Sequence, residues 1–150
     1  MSMSTIGVPL EGFGVYCRAA AAEGAVLLKN EGHMFPLKKE EMVSVFGRCQ
    51  FETYRSGTGS GGAVNVPYAV NIYDGMRESG SFTLNEELAD IYRAWLKDHP
   101  FDNGGGGWAA EPWHQKEMVI TEEIAAAAAE KSEKAIFIIG RTAGEDKDYA

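Results

Sequence analysis

The chain has 150 residues, enough for one ordinary domain with a core of its own. It is 45% hydrophobic and 24% charged, which excludes wholesale disorder. A formal net charge of −8 argues against nucleic acid and against an anionic membrane surface, since both need a cationic face.

The composition leaves a neutral or small soluble ligand. The opening residues, MSMSTIGVPLEGFG, show neither the cationic start nor the apolar centre of a signal peptide. No apolar run is long enough to span a bilayer, so a cytoplasmic protein is expected. Cys17 and Cys49 have no metal-ligand spacing and form no framework of paired cysteines. Two buried or partly buried thiols in a reducing compartment are expected.

Residues 1–10 read as a flexible lead. From Glu11 to about Leu28 the spacing of Phe13, Cys17, Ala20 or Ala21, and Gly24 predicts a helix, reinforced by the alanines at 19–22. The end of that stretch, AVLLKN, fits a helix end or a short strand equally well. Met42–Gly47 (MVSVFG) is a strand by its β-branched residues. Residues 49–67 form a long loop rich in Gly and Ser. Val70–Arg77 predicts a short helix with Ile72, Tyr73 and Met76 inward, stopped by Gly80.

Thr83–Asp98 predicts the strongest helix. Leu84, Leu88, Ile91 and Trp95 make its apolar stripe, and Thr83 with Glu86 fits a capping box. Residues 101–115 are irregular, with four glycines at 104–107 between aromatic residues. Thr121 caps a further helix that runs to about Lys131, with Glu122 and Glu123 in its first turn. Ala135–Gly140 (AIFIIG) then reads as a buried strand. Apolar strands that do not alternate, separated by helices, predict an α/β fold: a mostly parallel sheet with helices on both faces, a three-layer sandwich. Two clear strands are few for such a sheet, so it reads as incomplete, with a free edge prone to self-association.

Three stretches are candidates for chemistry. Gly57, Gly59 and Gly62 spell G-x-G-x-x-G, yet some nine residues separate them from the strand and no helix start follows. That context speaks against a dinucleotide site. A surface loop, or a glycine loop approaching a ligand beyond a strand end, remains. Trp108 and Trp113 flank or follow the glycine run. Burial is the commoner fate of such indoles, and exposed they are platforms for sugar rings. His99 and His114 are isolated and show no metal spacing. The third stretch, Gly144-Glu145-Asp146-Lys147-Asp148, follows the last strand. It is either a solvated acidic loop or the seat of a general acid, because neighbouring carboxylates and enclosure raise a carboxyl pKa toward neutrality.

Taken together, EGAVLLKNEGHMFPL (23–37), VSVFG with YRSGTGSGG (43–47 and 54–62), and IIGRTAGEDKDY (138–149) resemble the α/β-sandwich domain of glycoside hydrolase family 3, the β-glucosidases and related exo-glycosidases. The resemblance covers roughly Ala19 onward, with a variable insertion at about 81–116, so that residues 11–150 form the leading part of the sandwich domain. It implies a retaining hydrolase of terminal β-linked sugars that needs no metal or organic cofactor. It makes Glu145 the general acid/base and puts Tyr54, Arg55 and Ser56 beside the leaving-group sugar; Trp108, read from its indole alone, is a candidate substrate contact. The nucleophilic Asp lies on a barrel domain of the parent, outside these residues, so the chain alone is expected to be inactive. A sandwich starting so near Met1 is expected either in a member with reversed domain order, which the leader before the first helix favours, or in an internal fragment with an added start. The rival readings are a non-catalytic carbohydrate-binding or interaction module and, further off, a nucleotide-binding α/β domain.

Overall fold

The structure is a computed structural model and describes residues 10–54, 68–107 and 109–142. It divides into two compact units, Met1–Pro36 and Leu37–Ala150.

In the first unit, helix α1 spans Phe13–Gly24. It begins at Gly12, whose φ of 78° suits glycine, and no side chain caps it. The helix is shorter than the expected 11–28. Its expected inner face, including Phe13, Cys17, Ala20 and Gly24, is exposed. Cys17 is therefore an exposed thiol, contrary to expectation. Residues 25–30 are neither helix nor strand, and Val26, Leu27 and Leu28 are exposed. The Asn30 amide then brackets the Phe35 backbone, donating to its carbonyl (3.0 Å) and accepting from its N–H (2.9 Å).

The second unit carries a three-stranded parallel sheet in the order β2-β1-β3. Its elements are β1 (Met42–Phe46), α2 (Ile72–Ser79), β2 (Thr83–Leu84), α3 (Glu86–Asp98), α4 (Glu122–Lys131) and β3 (Lys134–Phe137). Four of the five residues of β1 are buried, as a central parallel strand requires. Its side chains alternate between two cores. Val43 and Val45 pack with Tyr73 of α2, Leu84 and Ala89. Phe46, on the other face, packs with Leu88, Tyr92, Met118 and Ala128 of α4. Helices thus cover the sheet on both faces.

Three expectations need correction. Thr83 and Leu84 are strand, not helix: Thr83 N–H donates to the Glu41 carbonyl (3.0 Å) and Asn85 N–H to the Val43 carbonyl (2.9 Å). Helix α3 starts after them, and its cap is Asn85, whose side chain accepts from Leu88 N–H, rather than Thr83 with Glu86. With the start moved, Ala89 takes a buried place and Ile91 faces out, 39% exposed. The last strand is also shorter, Lys134–Phe137, and it alternates between half-buried and exposed residues. Phe137 stacks on Phe46 (centroids 4.9 Å apart) yet stays 69% exposed, and Ile139 is 89% exposed, so this strand is not buried on both faces. Helix α2 begins at Asn71, whose side chain accepts from Asp74 N–H, and ends at Gly80 in the left-handed conformation. No helix among the described residues is long and apolar enough to cross a membrane.

Candidate active site at the strand exits

In parallel α/β sheets, ligands gather beyond the carboxyl ends of the strands. Here β1 and β3 leave the sheet side by side. Ile138 N–H still donates to the Phe46 carbonyl (2.8 Å), so the pairing continues past the end of β3. Gly47, at φ 99°, leaves no room for a side chain: a Cβ there would stand 2.1 Å from the Ile138 carbonyl oxygen. Its N–H donates to the Tyr92 hydroxyl (2.8 Å), which ties the exit of β1 to α3.

Beyond Gly47 the chain makes a short 3-10 turn, Arg48–Gln50, all buried. The Arg48 guanidinium is nearly saturated. It donates to the carbonyls of Lys116 (2.8 Å) and His99 (2.7 Å) and to the Glu52 carboxylate, and lies 5.3 Å from the Trp95 ring centre. Its backbone N–H donates to Glu117 (3.0 Å). A buried cation so paired is a structural pin for the exit of β1. Cys49 follows, buried, its thiol pushed up to about 11 by burial. It is therefore no nucleophile at neutral pH.

Gly140, after β3, lies against this turn. A Cβ at 140 would stand 1.9 Å from Cys49 Sγ and 3.8 Å from Tyr54 Cδ2. Tyr54 is half-buried, with Phe101 edge-on at 5.2 Å. Its hydroxyl donates to the Pro112 carbonyl (3.2 Å) and accepts from Gln115 Nε2 (3.0 Å), and burial raises its pKa. Arg141 sits 5.9 Å from the ring centre of the half-buried Trp113, and the N–H of the buried Thr142 donates to the Trp113 carbonyl (2.9 Å).

Of the residues expected to act, the structure brings Tyr54 to the segment 140–142 that leads toward Glu145, and adds Trp113 to the same place. Arg55, Ser56, Trp108 and Glu145 lie outside the described residues, as do Gly57, Gly59, Gly62, Asp146 and Asp148. His114 is exposed. No group of three or more His, Cys, Asp or Glu among the described residues is arranged to hold a metal ion. Beside Tyr54, a cavity of about 320 Å³ opens between the exit of β1 and the start of α2, lined by Phe51, Glu52, Asn71 and Phe101 among others. That is the lower end of the range for small-ligand sites.

Arg48 and Gln115 escape the sequence. Glu52 is the one near partner of Arg48, and the others are distant, 69 positions from Arg48 to Glu117 and 61 from Gln115 to Tyr54, so a local pattern does not reveal these roles.

A parallel α/β layer whose strand exits converge on an aromatic, hydrogen-bonded cleft is the class of domain that holds small-molecule chemistry at its strand ends. Residues 25–150 match the model of the glycosyl hydrolase family 3 C-terminal domain, and the chain belongs to that family. It is 50% identical over 127 residues to a β-glucosidase of Ruminococcus albus, covering 85% of this chain and 13% of the relative. To β-glucosidase A of Butyrivibrio fibrisolvens it is 36% identical over 129 residues, 86% of this chain and 15% of the relative. The chain thus spans only a small part of these relatives. A solved β-glucosidase from Paenibacillus barengoltzii superposes with a TM-score of 0.94 at 67% identity, over 98% of this chain and 16% of that one. β-Glucosidase 3B of Thermotoga neapolitana, solved with α-D-glucose, follows at a TM-score of 0.77 and 30% identity, over 93% and 19%.

Proposed function

We propose that this chain is the part of a retaining, exo-acting β-glycosidase that supplies the general acid/base and lines the pocket of the leaving-group sugar. The parent enzyme removes terminal β-linked sugars from neutral saccharides or glycosides. Glu145 protonates the glycosidic oxygen as the bond breaks. An Asp on a barrel domain of the parent attacks the anomeric carbon and holds the sugar as a covalent intermediate. Glu145 then takes a proton from the water that releases it. Retention needs the two carboxyl groups about 5 Å apart, so these 150 residues alone turn over no substrate. Tyr54, Arg55 and Ser56 contact the sugar on the leaving side, and Trp108 is a further substrate contact.

The observation that carries this reading is the meeting of the two strand exits. The stretches YRSGTGSGG and RTAGEDKDY start beside each other, with Gly140 against Cys49 and Tyr54. The β-glucosidase relatives support it. The test is Glu145→Gln in the full-length enzyme. For an alkyl β-glucoside, whose departure needs a proton, kcat/KM falls by about 10²–10⁴. For the 2,4-dinitrophenyl glucoside, whose leaving group departs unprotonated, it stays near the parent value. An alkyl glucoside cleaved at the parent rate removes Glu145 from the role.

A further inference from the structure

The described residues of the segment 101–115 have no regular secondary structure, and Gly104, Gly105 and Gly106 all take positive φ. Such a segment holds its shape through side chains, because it lacks a ladder of backbone bonds. Asp102 and Asn103 accept from Gly104 N–H and Gly105 N–H, and Gln115 ties the two ends of the segment together. Gln115 is 4% exposed, in a stretch where Lys116 and Glu117 are exposed. Its Oε1 accepts from Asp102 N–H (2.7 Å), and its Nε2 donates to the Asp102 carbonyl (2.9 Å) and to the Tyr54 hydroxyl (3.0 Å).

The first two bonds close the segment on itself. The third joins it to the exit of β1. Tyr54 passes the tie on to the Pro112 carbonyl, and the next carbonyl along, that of Trp113, accepts from Thr142 N–H. Thr142 is buried at 3% exposure, three residues before Glu145 in the sequence. A continuous set of hydrogen bonds thus runs from Gln115 through Tyr54 and the 112–113 backbone to the exit of β3.

From this we infer that Gln115 is a positioning residue for the proton-transfer step: it sets the 112–113 backbone on which the exit of β3 rests, and through it the segment that carries the general acid. This rests on the reading of Glu145 as that acid. The energetic reason is geometric. A general acid works within hydrogen-bond reach of the leaving oxygen, and a misplacement of about 1 Å costs about a hundredfold. Gln115 is buried and acts through Tyr54 and the 112–113 backbone. Losing its amide therefore weakens protonation while leaving attack by the nucleophile in place.

The experiment compares the parent enzyme with Gln115→Met, which keeps the length of the side chain and removes all three bonds. Both kcat/KM values, for the alkyl and the 2,4-dinitrophenyl β-glucoside, are measured on the same sample. Their ratio does not depend on the fraction folded, and kcat/KM reports the glycosylation step, where the acid acts. The expected result is an alkyl value at least about tenfold lower, with the dinitrophenyl value within about twofold of the parent. If Gln115→Met does not fold, Gln115→Asn, which draws the amide back by one methylene, is read in the same way. Glu145→Gln runs alongside. If it lowers the ratio while the Gln115 variants leave the ratio unchanged, the positioning role is overturned alone. If it leaves the ratio unchanged, the assignment of the acid falls, and this inference with it.

Discussion

At the scale of single residues, the strand exits are packed to the limit of what a hydrogen atom allows. Gly140 does not need its conformational freedom here; it needs its lack of a Cβ. Gly140→Ala would set a methyl 1.9 Å from Cys49 Sγ and 2.8 Å from Cys49 Cβ, so strand exit and turn must move apart. Overpacking of this kind costs about 1–3 kcal/mol. Denaturant unfolding of the Gly140→Ala variant checks the loss. Cys49→Ala in the same chain recovers part of it, because the sulfur goes and the Cβ stays. A double variant no better than the sum of the singles would show that the pressure comes from elsewhere. The identity of this contact was invisible in the sequence, where Gly140 reads only as the end of a strand and Cys49 as an inert thiol.

At the scale of elements, the caps decide where helices begin, and they also tie layers together. Asn85 caps α3 through Oδ1 and donates from Nδ2 to the buried Ser44 hydroxyl of β1 (2.9 Å). Ser132, just after α4, donates to the same hydroxyl (2.7 Å). One cap thus links β2, β1 and the end of α4. Asn85→Ala removes the cap and one of the two partners of the buried Ser44 hydroxyl, at a cost of about 1–2 kcal/mol. The checks are the unfolding midpoint and faster amide exchange at Leu88. Slow exchange with an unchanged midpoint would show that the cap is dispensable. The sequence points to a cap two residues too early. Thr83 with Glu86 has the form of a capping box, but two residues of the apparent helix pair with β1 instead, and a strand of two residues carries no periodicity to betray it. The helix at Thr121 was legible because its cap has no such competitor: Thr121 accepts from Ile124 N–H as expected.

At the scale of the molecule, the parallel sheet and its helical cover were readable from Val43, Val45 and the AIFIIG run, since apolar strands between helices have few other arrangements. The open face of β3 was not, because Phe137 and Ile139 are apolar whether or not anything covers them. The opposite end of the sheet offers a test of how its two long strands are joined. Glu41, just before β1, accepts from Lys134 Nζ at the first residue of β3 (2.8 Å) and from Lys38 N–H (2.8 Å). The Lys134 hydrogen bond, then that of Lys38, hold the Glu41 carboxyl below its ordinary value of 4.5. A carboxyl whose pKa is lower in the folded state stabilises that state fully above its ordinary pKa. That contribution fades as the pH falls below 4.5 and is gone once the pH passes the lowered folded value, where Glu41 is protonated in both states. Glu41→Gln should therefore be less stable than the parent at pH 7, with the gap closing on acidification through that window. Unfolding midpoints at pH 7 and across the acid range, with an NMR titration of the Glu41 carboxyl, measure both sides of the linkage. A gap that stays constant with pH would mean that Glu41 holds β1 to β3 by shape alone, with no contribution from its charge.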